Sequence, residues 1–331
     1  MPIAAYNDTV TCDNCSRKAA SYTMRRVPGG DHWCDKCFYN TYQTCNYCTA
    51  VILRSGVANE VCLKCADSYL NVPRKSFRNR QGFSELRSER AYGIELETSK
   101  TYGLTKLNLS GWGAKDDCTV TGKELCSTIL RGDGGLKAIR RLADFAEKHK
   151  WKIDNDCGFH LHLDMRGSSR KTKYAVAYAY RLTERVWYSF VEDDRREGEY
   201  CHECTWSAPG CISAYTEGTD FNDWNHHDRY NWINTEALYD HNTFEIRLHH
   251  ATIDADTVCN WVKAHTRFAD WAAKLGLAEI KAKLANKSIE RRFEVIADEA
   301  WKDTPLSEYY LRRAQSLNQE IGSVGLTSTA S

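Results

Sequence analysis

No apolar run in this chain approaches the ~20 residues that a membrane-crossing helix requires. Nor is there an excess of charge of one sign. The 45 Lys and Arg against 44 Asp and Glu leave a formal charge of +1. That balance excludes a global electrostatic pull toward nucleic acid or an anionic membrane. The N-terminus, MPIAAYNDTV, lacks the basic-then-apolar order of a secretory leader. These absences predict a soluble, cytoplasmic protein. Its 331 residues, 42% hydrophobic, suffice for one large domain or two smaller ones.

Cysteine, by contrast, is abundant. Of 15 in the chain, eight form four CxxC pairs: Cys12/Cys15, Cys34/Cys37, Cys45/Cys48 and Cys62/Cys65. Without an export signal, such pairs point to zinc rather than disulfides. A CxxC turn aims two thiolates at one ion, and two turns complete a tetrahedral site. Eight cysteines therefore predict two structural zincs in a treble-clef or zinc-ribbon-like module over residues 1–70. The gap of seven residues between the middle pairs favours sequential over interleaved pairing. Redox cysteines are the weaker alternative, because four evenly placed pairs do not suit them. Residues 1–90 carry 13 Lys and Arg against 8 Asp and Glu. Two zincs on eight thiolates reduce that surplus to about +1, so a docking role is as well supported as nucleic-acid binding. Residues 71–90, which include PRKSFRNRQGFSELRSER, read as a basic linker.

Past residue 90 the periodicity changes. AYGIELET (91–98), GKELCSTIL (122–130), CGFHLHL (157–163) and NTFEIRLHH (242–250) read as strands. Residues 134–150, 170–194 and 254–274 have apolar positions at helical spacing, the last with Asp254 as N-cap, and 277–320 reads as mainly helical. Residues 195–229 read as a long loop, and 321–331 as a flexible tail. Strands that first pair and then alternate with helices define an α+β domain over 91–320.

Side chains alternate across a strand. Ile94 and Leu96 therefore share one face, with Glu95 and Glu97 on the other. Phe159, Leu161 and Leu163 oppose His160 and His162. Phe244, Ile246 and Leu248 oppose Glu245, Arg247 and His249. An ordinary wet sheet face carries Lys, Thr, Ser and Gln. These three strands present only Glu, His and Arg, which bind divalent cations and grip phosphate or carboxylate oxygens. The pattern predicts one polar, catalytic sheet face.

The ordered motifs AYGIELET, GKELCSTIL, NDCGFHLHLDMRG and NTFEIRLHHATIDADTVCNWV, over roughly residues 91–272, resemble the amidoligase family. That family is related in fold to glutamine synthetase and glutamate–cysteine ligase. The resemblance implies an antiparallel or mixed sheet, ATP, two or three Mg²⁺ ions and amide formation through an acyl phosphate. It assigns magnesium to Glu95, Glu97, Glu124, His160 and Glu245, and the transferred phosphate to Arg247. His160, His162 and Arg229 join Arg247 as nucleotide-contacting candidates. Thr128 stands where the family often has proline, which weakens the match at Glu124 and Ser127. The acceptors implied are an amine and a carboxylate, on peptides, cell-wall material or, in phages, DNA bases. Two alternatives stand beside this: a metal-dependent amidohydrolase using the HxH strand, and a non-catalytic interaction protein built on the zinc module. The loop CHECTWSAPGC offers Cys201, Cys204 and Cys211, with His226 and His227, as a third zinc site, although a lid over the active site is the plainer reading.

Overall fold

The structure, a computed structural model, describes residues 9–21, 24–26, 31–44, 51–53, 84–103, 112–115, 120–196, 198–224, 228–319 and 321. The described residues of the cysteine-rich part form three hairpins and one helix. Strands β1 (Thr9–Thr11) and β2 (Lys18–Ala20) pair, as do β3 (Met24–Arg26) and β4 (His32–Cys34). Helix α1 (Asp35–Thr41) follows directly, and β5 (Tyr42–Thr44) pairs with β6 (Val51–Leu53). The first CxxC pair sits in the β1–β2 turn, and the second spans the end of β4 and the start of α1.

The larger domain is built on β7 (Tyr92–Glu97), β8 (Trp112–Lys115), β9 (Glu124–Ser127), β10 (Gly158–Asp164), β11 (Ile233–Asn234) and β12 (Thr243–His250). They form one sheet in the order β11-β12-β10-β7-β9-β8, antiparallel throughout. All four expected strands are present, although GKELCSTIL is extended only over Glu124–Ser127. Strands β8 and β11 were not expected. At four and two residues they are too short to show a period of two.

One sheet face carries Ile94, Leu96, Leu125, Phe159, Leu161, Leu163, Phe244 and Ile246, all buried. Helices α2 (Gly132–Lys148) and α8 (Ala255–Lys274) pack against it, and α3 (Arg170–Tyr188) packs on α8. Short helices α4 (Asp193–Arg196), α5 (Ala208–Thr216), α6 (Phe221–Trp224) and α7 (Ala237–His241) lie between α3 and β12. The stretch 195–229, expected as a loop, therefore contains α5 and α6. Helices α9 (Leu277–Leu284) and α10 (Ile289–Val295), a π-helical turn (Ile296–Trp301) and α11 (Thr304–Ser316) complete the chain.

Helix α8 shows why this packing holds. The Asp254 carboxylate accepts the Thr257 N–H at 2.6 Å and caps its first turn. Val258, Trp261, Val262, His265, Phe268, Ala269 and Ala272 then fall on one buried stripe. Each fully buried large side chain there contributes about 1.5–3 kcal/mol. The stripe meets Trp187, which stacks on the His265 ring at 4.0 Å. Residues 84–90, at the end of the basic linker, are bound into this domain. The Asp133 carboxylate accepts the N–H groups of Ser84, Glu85 and Leu86 and the Ser84 hydroxyl, all within 3.0 Å. Arg90 donates to Asp270 at 2.9 Å.

One irregularity matters for the site. Between Phe159 and Leu161 the pairing of β10 with β12 shifts, from Leu161 opposite Ile246 to Phe159 opposite His249. This is a β-bulge, and it changes the phase of alternation along β12. His249, expected on the polar face beside Glu245 and Arg247, is instead buried against the core. Its ring meets Trp261 at 4.8 Å and Phe159 edge-on at 6.2 Å. Arg195, on α4, donates to the carbonyls of Arg247 (2.7 Å) and Leu248 (3.3 Å), so the backbone groups displaced by the bulge are satisfied.

Candidate active site

Antiparallel register sets the rows of the polar face. His160 is opposite Glu95, and Glu95 is opposite Cys126. His162 is opposite Glu245, and Glu245 is opposite Asn234. Glu97 is opposite Glu124, and Glu124 is opposite Lys115. Glu95, His160 and Glu245 come together: the His160 Nδ1 lies 3.3 Å from a Glu95 oxygen and 3.2 Å from a Glu245 oxygen. His162 Nε2 points between the same carboxylates, at 3.6 and 4.0 Å, and its Nδ1 meets the Thr243 hydroxyl at 2.9 Å. That Nε2 is buried and has no hydrogen-bond partner.

Electrostatics keep the carboxylates ionised. Burial would raise Glu95, but His162, His160 and Lys115 outweigh it and hold the carboxyl well below its usual range. Burial likewise opposes the ionised form of Glu245, and His162, Arg247 and His160 prevail. His162 is the reciprocal case. Burial disfavours its charged form, yet Glu95 and Glu245 raise its pKa. Arg247 Nη1 donates to Glu245 at 2.6 Å and Nε to the Tyr200 carbonyl at 3.1 Å. Asn234 donates to the second oxygen of Glu245 at 2.7 Å.

The other expected residues are placed as follows. Glu97 accepts the Gly158 N–H at 2.5 Å. A Cβ on Gly158 would lie 3.0 Å from His160 Nε2 and 3.3 Å from Glu97, so glycine lets the strand approach both. Glu124 lies with Glu95 and Cys126 in a second ligand group, with donor atoms within 4.8 Å of one another. Ser127 does not reach this group; its hydroxyl accepts the Ile94 N–H at 2.8 Å. Arg229 is exposed, with its guanidinium 5.4 Å from the Tyr230 ring centre. Lys115, Cys126, Asn234 and Arg195 were missed by sequence reasoning. Cys126 had a signal, since it stands two residues from Glu124 on one strand. Lys115 and Asn234 had none, because their strands are so short.

These donors suit a divalent cation. Adjacent ligands on an octahedral magnesium at about 2.1 Å stand about 3.0 Å apart. His160 to each carboxylate is 3.2–3.3 Å, and the orphaned His162 Nε2 faces the same space. In the cysteine module, Cys12, Cys15, Cys34 and Cys37 form a four-sulfur group. The Cys15 and Cys34 sulfurs lie 3.8 Å apart, which matches the edge of a tetrahedron with Zn–S of about 2.3 Å. The Cys34 N–H points at Cys12 Sγ at 3.2 Å, an arrangement that favours thiolate. Among the described residues this is the one four-cysteine cluster, and it joins the first pair to the second. Cys45, Cys48, Cys62 and Cys65 lie outside the described residues. Cys201, Cys204 and Cys211 form no ligand group there: Cys201 donates to the Arg195 carbonyl and Cys211 to that of Tyr174, while Cys204 is buried beside Glu184. His226 and His227 lie outside the described residues.

A family model described as "Putative amidoligase enzyme" matches residues 84–269, more than half of the chain and every residue of the polar face. The chain belongs to the amidoligase family. Among solved structures, the amidoligase is similar to a bifunctional glutathione synthetase from Pasteurella multocida, with 8% identity and a TM-score of 0.41 over 71% of this chain and 48% of that one. It is also similar to a chain in the complex between the prokaryotic ubiquitin-like protein Pup and its ligase PafA, with 10% identity and a TM-score of 0.34 over 70% of this chain and 65% of that one. The amidoligase thus spans about half of the first and less than two thirds of the second. No curated protein matches it. No described helix is long and apolar enough to cross a membrane.

Proposed function

We propose that this amidoligase is an ATP-dependent carboxylate–amine ligase that forms its amide through an acyl phosphate. The supporting observation is the convergence of Glu95, His160 and Glu245 from three adjacent strands, with Arg247 bonded to Glu245. Glu95, His160 and Glu245 would hold magnesium, with Glu124 beside them. Mg–ATP supplies the phosphoryl group and offsets its charge when bound. Asn234 and Arg247 fix the Glu245 carboxylate, so its orientation is set before any ligand arrives. Arg247 is itself anchored through Nε to the Tyr200 carbonyl, which leaves its planar fork at the edge of the carboxylate group. Such a preorganised donor favours charge that develops on a phosphoryl group in transfer.

The cysteine module favours a macromolecular acceptor, a peptide or a nucleic-acid base, delivered by docking on that module. The test is a mixed screen of amines and carboxylates with Mg–ATP, reading ADP release together with a mass increase on the acceptor. Full-rate amide hydrolysis with zinc and without nucleotide would instead establish the amidohydrolase reading.

A further inference from the structure

Among the described residues, the polar face contains two corners shaped for a cation, and they share Glu95. One is Glu95, His160 and Glu245; the other is Glu95, Glu124 and Cys126. They differ in what already fills them. In the first, His162 Nε2 makes no hydrogen bond and lies 3.6 and 4.0 Å from the Glu95 and Glu245 carboxylates. Arg247 reaches one carboxylate of that corner, Glu245 Oε1 at 2.6 Å, and is tied to Tyr200, while the Glu95 oxygen there, Oε2, faces the two histidines. The second is closed by the protein's own groups. Lys115 Nζ lies 2.6 Å from Glu124 Oε1 and 3.8 Å from Glu95 Oε1, so one ammonium bridges two carboxylates. The Cys126 thiol donates to the same Glu124 oxygen at 3.1 Å.

Register holds the lysine there. Lys115 is the cross-strand partner of Glu124 on β8, and its Cα cannot withdraw without loss of the ladder. A divalent ion at this corner would meet the ammonium at contact distance and compete with it for the same oxygens.

We propose that Lys115 is a resident cation in place of a divalent ion at the Glu95–Glu124 corner. In the absence of nucleotide, the polar face then takes metal only at Glu95, His160 and Glu245. This rests on the metal-binding part of the ligase reading, and it lowers the two or three ions expected from sequence to one plus a fixed positive charge. The lysine supplies that charge whatever the metal concentration.

The experiment counts Mn²⁺ bound to zinc-loaded, full-length protein without nucleotide, from the free-ion paramagnetic resonance signal. Wild type is expected to bind one ion in the polar face. Lys115→Ala is expected to bind two, and Lys115→Ala with Glu124→Gln to return to one. Lys115→Arg retains the charge and is expected to stay at one, which separates loss of the cation from damage to β8. Two ions in wild type, or no second ion in a folded Lys115→Ala variant, would overturn the proposal. No Mn²⁺ in either protein would overturn the metal-binding reading itself, and the proposal with it.

Discussion

His249 makes part of the stability of this fold depend on pH. It is buried against Trp261 and Phe159, and its Nδ1–H donates to the His250 carbonyl at 2.7 Å. Burial and then Arg313 press its pKa down from 6.5 to about 4, with the hydrogen bond to the His250 carbonyl and then Glu192 only partly opposing. The folded protein therefore keeps the ring neutral at pH values where the unfolded chain protonates it. Wherever the unfolded state binds more protons, stability falls as pH falls. The contribution is intact above pH 6.5, about 2 kcal/mol is lost by pH 5, and about 3 kcal/mol by pH 4. His249→Phe removes the titrating group and retains a ring against Trp261. Loss of the hydrogen bond to His250 lowers its stability by a constant amount at every pH. Urea unfolding followed by tryptophan fluorescence at pH 7.5, 6 and 5 tests this, since Trp261 lies against the substituted ring. The gap between wild type and variant is expected to shift by about 2 kcal/mol in favour of the variant from pH 7.5 to 5. A gap that stays constant with pH would refute the reasoning.

Arg247→Lys keeps the charge but loses the planar fork shared between Glu245 and the Tyr200 carbonyl; turnover in the amide-forming assay is expected to fall on the order of 10²-fold. Elemental analysis of protein purified without added metal is expected to find at least one zinc per chain, held by Cys12, Cys15, Cys34 and Cys37, and Cys34→Ser to lose one; fewer than one zinc in wild type would count against the module. Asp133→Ala breaks four hydrogen bonds into one buried carboxylate and is expected to destabilise the larger domain by about 3–5 kcal/mol, read as a lower urea midpoint. Glu245→Gln is expected to weaken Mn²⁺ binding and, by leaving buried Arg247 without its carboxylate, to lower that midpoint as well; an unchanged Mn²⁺ affinity would remove Glu245 from the metal-binding group.

Alternation made the strand cores legible. Glu95, Glu97, His160, His162, Glu245 and Arg247 share a face because a period of two leaves no other arrangement in a regular strand. The same logic failed at His249, because a bulge is a property of two strands together and has no trace in either alone. Lys115 and Asn234 were hidden for a different reason. They come from edge strands of four and two residues, whose extended form is imposed by neighbours rather than by their own pattern. Arg195 lay in a stretch without periodicity, and its hydrogen bonds go to carbonyls that only the folded bulge exposes.

Glu95 and Glu245 are 150 positions apart in the chain and one strand apart in the sheet. Their meeting therefore requires a long loop closure, which costs more entropy than pairing strands that are neighbours in the chain. A chain that has docked β7 on β10 but not β12 holds half a cation site. Any cation that binds only the finished group stabilises the folded state over every partly assembled one, by about 2.7 kcal/mol at a hundredfold excess over its dissociation constant. Chelation and refolding speed address different steps of this sequence. Removing the cation is expected to accelerate unfolding while leaving the rate of early collapse unchanged.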